Sequence, residues 1–297
     1  MVIIMHSSAI VFSYDSNSDV EYYIKNFEKM GFGSMIICAE GNPNLSNIES
    51  LLKGKNVELI FNRERTGKSA AYNNALKHVN SDIVFLVSGD VRFDPDIINT
   101  MEVCLKEDEI IIPRVLPFET ESLAGRIASL MWNVHDTCLD SDDRDYLKSG
   151  GEFQALYSKC LVSMPKVIND DEYLCLTAHL TGMKVRYHRE LVVRNWVPET
   201  FKDLLNQRVR INYGHLEMKK YFGKSTSLSL NFIHNMRKSF RIMKKHFSGY
   251  PDDIAYILPA LALELVSIAS AYLDMKRSRS HIFWDIVSSS HDYRDSN

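Results

Sequence analysis

Short apolar runs alternate with amphipathic stretches through the first hundred residues. Runs at 9–13, 34–39, 57–62 and 82–88 are rich in β-branched residues and read as strands. Residues 19–30 and 67–79 lie between runs and carry helical spacing. Strands separated by helices predict parallel βαβ units covered on both faces, a Rossmann-like α/β sheet. Ligands of such sheets bind beyond the carboxyl ends of the strands. Those ends here read Ser13-Tyr14-Asp15, Ala39-Glu40-Gly41, Asn62-Arg63-Glu64-Arg65 and Ser88-Gly89-Asp90.

Past residue 110 the pattern becomes mixed. It predicts a long helix over 123–139, a Gly150-Gly151 turn, a helix opened by Asn169-Asp170-Asp171-Glu172, and a short strand at 191–193. Farther on, Phe232, Met236, Phe240, Met243 and Phe247 step by four, four, three and four, forming one helical stripe beside Arg237, Lys238, Arg241, Lys244 and Lys245. Residues 254–273 follow, mostly apolar but interrupted by Pro259 and Glu264. That length just suffices to cross a bilayer, although Glu264 would cost roughly 2–4 kcal/mol if it faced lipid.

Composition narrows the classes. The 297 residues are 45% hydrophobic and 25% charged, which excludes disordered, collagen-like and polytopic membrane chains. Five cysteines without a CxxC pair point away from a disulfide framework or a zinc knuckle, and fit a reducing compartment. The opening MVIIMHSSAIVFSY lacks a basic n-region and reads as a first strand. Residues 218–251 hold eight of the 35 Lys and Arg and none of the 38 Asp and Glu. So segregated a charge suggests a polyanionic surface as partner. Two units are expected: a nucleotide-binding domain at 1–215 and a basic, apolar helical tail at 216–297.

Gly67-Lys68-Ser69 has the tail of a phosphate-binding Walker loop, but Asn62 stands where its first glycine is needed. Read from Asn62 through Ala70-Ala71-Tyr72-Asn73-Asn74 to Ser88-Gly89-Asp90 and Val91-Arg92-Phe93-Asp94-Pro95-Asp96, the segment resembles the family 2 glycosyltransferases of the GT-A fold. The resemblance spans about residues 9–215. It implies a GT-A mixed sheet flanked by helices, a nucleotide-sugar donor, and Asp90 as ligand of a divalent Mn2+ or Mg2+ at the family's DxD, with Ser88 replacing the first Asp. Glu40 takes the place of an acid that binds the nucleobase. Asp15, Arg65 and Lys68 are candidates for the nucleotide, since a cation at a helix start meets phosphate as readily as a neighbouring carboxylate.

Asp170-Asp171-Glu172-Tyr173-Leu174 stands where the family opens a helix with its ED pair, which implies Asp171 as catalytic base. Acids at a helix start also serve simply as caps. Gly150-Gly151-Glu152-Phe153 resembles the acceptor loop. Gln207-Arg208-Val209-Arg210-Ile211 reproduces the QxxRW box with Ile in place of Trp. It implies that Gln207 and Arg210 face the reacting groups, with Arg208 among the donor-binding residues. Without the Trp, one sugar per visit is expected rather than processive synthesis.

The reading is therefore an inverting, metal-assisted glycosyltransferase at the cytoplasmic face of the cell membrane, acting on a hydroxyl acceptor that is lipid-linked or part of a glycan. An anionic membrane surface is the expected partner of the tail, and no nucleic acid is, since no groove-reading motif accompanies the basic helix. The rivals are a pseudo-glycosyltransferase that binds only a nucleotide or a partner, and a sugar-nucleotide nucleotidyltransferase. The first loop, Ser13-Tyr14-Asp15-Ser16-Asn17-Ser18, lacks the Gly and Arg that the latter would carry.

Overall fold

The computed structural model describes residues 6–41, 45–140, 150–231, 236–279 and 281. Phe232 of the expected tail stripe and Trp284 lie outside the described residues. Eight strands, β1 (Ser7–Tyr14), β2 (Ser34–Glu40), β3 (Val57–Asn62), β4 (Ile83–Ser88), β5 (Arg92–Phe93), β6 (Glu109–Pro117), β7 (Phe153–Tyr157) and β8 (Lys184–Asn195), form one sheet in the order β3-β2-β1-β4-β7-β6-β8-β5. The first four in that order are parallel. β7 runs antiparallel between β4 and β6, and β8 is parallel to β6. The sheet is mixed and flanked by helices, the arrangement of the GT-A fold.

Burial on both faces explains why these strands read as continuous apolar runs. Ala9 and Val11 of β1 face one core cluster with Phe85, Val87 and Phe153, while Ile10 faces the other with Val84, Leu86 and Leu156. The helices between strands are α1 (Asn17–Met30), α2 (Leu45–Leu52), α3 (Lys68–Ala75) and α4 (Asp96–Cys104). α1 starts at Ser16, whose side chain accepts from the Asp19 amide, and ends at Gly31 in the left-handed region with φ 81°.

After β6 come α5 (Leu123–Leu139), α6 (Asp170–Leu180), α7 (Phe201–Phe222), α8 (Leu228–Asn231), α9 (Met236–Gly249) and α10 (Ile257–Lys276). α5 has the expected limits, set by a Ser122 cap on the Gly125 amide. The strand expected at 191–193 is the end of a longer one, β8. α7 runs unbroken through residue 215. α9 is helical, but its buried side is not the apolar stripe: Ser239, Ile242 and His246 are buried, and Met236 and Phe240 face solvent. His246 goes inside where partners wait, the Thr137 hydroxyl (3.3 Å) and the Tyr250 ring.

Candidate active site

The cleft begins where β1 and β4 end. The Gly89 amide donates to the Phe12 carbonyl at 2.7 Å, and a Cβ at Gly89 would stand 2.9 Å from that oxygen. Only glycine lets the Ser88–Asp90 turn cross β1 so closely. The turn is braced from outside. Tyr23 Oη donates to the Val91 carbonyl at 2.7 Å, Arg92 Nη1 donates to the Gly89 and Val91 carbonyls at 2.9 Å, and Arg92 Nη2 meets the buried Asp19 at 2.6 Å. The Ser88 hydroxyl donates to the Gly151 carbonyl at 3.1 Å.

The facing wall is the Gly150-Gly151 turn before β7, with the start of α6. A Cβ on Gly151 would lie 3.2 Å from Asp171 Cβ and Cγ, so a second glycine permits Asp171 to press on the turn. From the start of α3, Lys68 Nζ donates to the Gly151 carbonyl at 3.1 Å and pairs with Asp170 at 3.2 Å. Gln207 and Arg210, one helical turn apart on α7, close the third side. The cleft measures about 370 Å³ and is lined by Asp90, Asp171 and Glu152 together with Arg65, Lys68 and Arg210.

Crowding these charges changes their titration. Burial, reinforced by Asp170 and only partly offset by Lys68, pushes Asp171 up to about 6. Burial and the Asp171 charge push Glu152 up to about 8. For Lys68 burial works against the ammonium, but Asp170, Asp171 and Glu152 outweigh it and raise its pKa. Burial lowers Arg210 to about 10 despite its acidic neighbours. By contrast Glu172, next to Asp171 in sequence, turns away from the cleft. Burial opposes its charge, yet His215 at 2.6 Å, the Thr226 amide and the Ser225 hydroxyl hold it at about 2. Glu172 thus ties α6 to α7.

The other expected residues divide. Arg65 lines the cleft with its guanidinium 3.6 Å from the centre of the Tyr14 ring. Glu40 also lines it, but its carboxylate accepts the Thr66 and Gly67 amides at 3.2 Å and the Thr66 hydroxyl, bracing the loop into α3. Asp15 is exposed and does not line the cleft, and its amide donates to the Glu40 carbonyl at 2.7 Å. Arg208 lines the cleft but turns its head to α10, where Nε and Nη2 donate to the two Glu264 oxygens at 3.0 and 2.9 Å. In the sequence Glu152 stands within the acceptor-loop resemblance without a charge role of its own, and Asp19 and Arg92 carry no role. Only the Gly-Gly turn before Glu152 hinted at a close approach there. Ala128, Met131 and Trp132 of α5 and Leu204 of α7 give the cleft an apolar end, near Trp196, which stacks on Phe118 at 4.1 Å.

Among the described residues no three His, Cys, Asp or Glu side chains are grouped to hold a metal. Asp90, on the side of the cleft where Asp19 is paired with Arg92, fits a hard cation that takes one or two carboxylates and completes its shell with phosphate oxygens and water. The donor set fits a metal that arrives with a diphosphate rather than one held in a protein cage.

Residues 43–154 match the family model Glycosyl transferase family 2. No curated protein sequence matches the chain. Among solved structures, the mannosyltransferase PcManGT from Pyrobaculum calidifontis, in complex with GDP-Man and Mn2+, has a TM-score of 0.63 at 14% identity, covering 93% of this chain and 88% of that one. TarS 1-349 from S. aureus has a TM-score of 0.49 at 12% identity over 93% of both chains. Glucosyl-3-phosphoglycerate synthase from Mycobacterium tuberculosis, with Mn2+, UDP-Glc and PGA, has 0.49 at 13% over 70% of this chain and 78% of that one.

Proposed function

Because residues 43–154 match the family model Glycosyl transferase family 2, we propose that the chain transfers one sugar, with inversion, from a nucleotide-diphosphate sugar to a hydroxyl acceptor. The observation that carries this reading is a single cleft lined by Asp90 from the end of β4 and Asp171 from the start of α6, with Lys68 and Arg210 beside them. Asp171 is the base. With its pKa raised to about 6 it is largely ionised near neutrality yet basic enough to accept a proton. It takes the proton of the acceptor hydroxyl as that oxygen bonds to the anomeric carbon, while the bond from that carbon to the diphosphate oxygen breaks on the opposite face. The nucleoside diphosphate departs toward Arg210 and Lys68, whose fixed charges face the developing negative charge. A divalent Mn2+ or Mg2+ on Asp90, when bound, neutralises diphosphate charge.

The apolar end of the cleft supports an acceptor that carries a lipid, since Ala128, Met131 and Leu204 offer no hydrogen bonds to a free sugar's hydroxyls. The exposed apolar tail helix supports a working place at a membrane surface. The test is nucleotide release from a panel of UDP-, GDP- and dTDP-sugars, with and without Mn2+. One donor should be turned over only with metal, and Asp171→Asn should lower turnover by about 10²–10⁴-fold while leaving donor binding intact. Absence of turnover in the wild type with every donor would favour a module that only binds the nucleotide.

A further inference from the structure

Helix α10 and the turn before it carry seven of the fourteen large apolar side chains that are exposed among the described residues. Ile254, Leu258, Leu261, Leu265, Val266, Tyr272 and Leu273 are each between about half and three-quarters exposed. At 100° per residue, the six from Leu258 onward fall within an arc of about 140°. Within the helix the one charged residue in that arc is Lys276, at its last position. The helix's one central charge, Glu264, points the other way, held by Arg208, by Asn212 Nδ2 at 3.3 Å and by the Ser229 hydroxyl at 2.7 Å. The small residues Ala260, Ser267 and Ala271 are buried, and Ser267 Oγ accepts from Asn212 Nδ2 at 2.9 Å. So α10 is long and apolar enough to cross a membrane, yet it is fastened along its length to α7. Crossing would strip Glu264 of its partners and expose it to hydrocarbon.

We infer that α10 lies flat in the surface of an anionic bilayer, its Leu258–Leu265–Tyr272 face in the acyl boundary and its Glu264 face on α7. The inference deepens the preceding reading and rests on it for the meaning of the orientation. Charge selects the occupant. Lys276, Arg277 and Arg279 stand exposed at the end of the stripe, with Lys276 Nζ 4.7 Å from the centre of the Tyr272 ring. α9 exposes Arg237, Arg241 and Lys244 around the exposed Met236 and Phe240, in a stretch without acids. Anionic headgroups complement these cations, whereas a second copy would meet them with the same charges. Ala260 and Leu263 of α10 share one apolar cluster with Ala128, Met131, Trp132 and Leu204. The cleft's apolar end is therefore built on the helix that touches the bilayer, which lets a lipid-borne hydroxyl enter without leaving the membrane surface.

The test is co-sedimentation of the full chain with vesicles of phosphatidylcholine alone or of equimolar phosphatidylcholine and phosphatidylglycerol. Binding should require phosphatidylglycerol, weaken with salt, and fall about fivefold for each charge removed in Lys276→Gln and Arg241→Gln. Leu258→Asp with Leu265→Asp should abolish it while the circular dichroism spectrum and soluble donor turnover stay unchanged. Alkaline carbonate should release bound protein. Protein that resists carbonate would overturn the flat placement, and a wild-type dimer that the double variant dissociates, with no vesicle binding, would assign the face to a second copy. Loss of all donor turnover with vesicle binding intact would sink the proposed chemistry and leave the docking standing.

Discussion

Burial raises the pKa of two carboxylates in the cleft, Asp171 and Glu152, with different consequences. For Asp171 as the proposed base, a pKa near 6 predicts the acid limb: kcat/KM should fall about tenfold per pH unit below 6 as the carboxylate takes up a proton before the acceptor can give one. A pH profile checks this, and Asp171→Asn should flatten that limb along with the rate. For Glu152 the consequence is stability. Its folded pKa of about 8 lies above the unfolded value, so between pH 5 and 8 the unfolded chain sheds a proton that the folded one retains. The acid therefore destabilises progressively through that window. Glu152→Gln should raise the melting temperature at pH 8, by about 1–3 kcal/mol of stability, and leave it nearly unchanged at pH 4. A uniform gain at both pH values would show that packing, not charge, is responsible.

The junction of α6 with α7 decides where Asp171 and Arg210 stand. Gly214 sits mid-helix in α7 because a Cβ there would come within 2.2 Å of Asn169 Oδ1 and 2.3 Å of its Cγ. Asn169 in turn donates to the Ile211 carbonyl at 3.1 Å and to Glu172 at 3.2 Å. In an open helix Gly→Ala would gain about 1 kcal/mol. Gly214→Ala should instead lose about 1–3 kcal/mol in a denaturant titration and reduce kcat, because α6 must move off α7. Gly249→Ala, with nothing within 4 Å, is the control and should be neutral or better.

Helical spacing made α5 and α9 legible in the sequence, and buried β-branched runs made the first four parallel strands so. Which side of α9 goes inward was not legible, because partners on α5 and the following turn decide it. The strand-end position of Asp90 and the helix-start position of Asp171 were likewise visible, since both are local. The charge role of Glu152 and the Asp19–Arg92 brace were not legible, because they acquire neighbours only through long-range contacts, β7 beside β4 and α1 against the turn after β4.

At the scale of the whole molecule, the Arg208–Glu264 pair joins α10 to α7. Both side chains are mostly buried, at 17% and 13% exposure, and burial alone would raise Glu264, but Arg208, Ser229 and Asn212 hold it at about 2. Removing one partner leaves a buried charge uncompensated, so Glu264→Gln or Arg208→Leu should each destabilise the protein by about 2–3 kcal/mol. Replacing both by leucine should recover most of that loss, since an apolar pair of similar volume is often as stable as a buried ion pair. Because Ala260, Tyr256 and Leu263 pack in the same cluster as Ile127 and Leu204, sheet and tail should melt in one transition in the wild type. Calorimetry of the single variants should then show one transition at lower temperature. A separate early transition of the tail would mean that α10 is held to α7 by this pair alone, and that the cleft wall it supports is an independent unit.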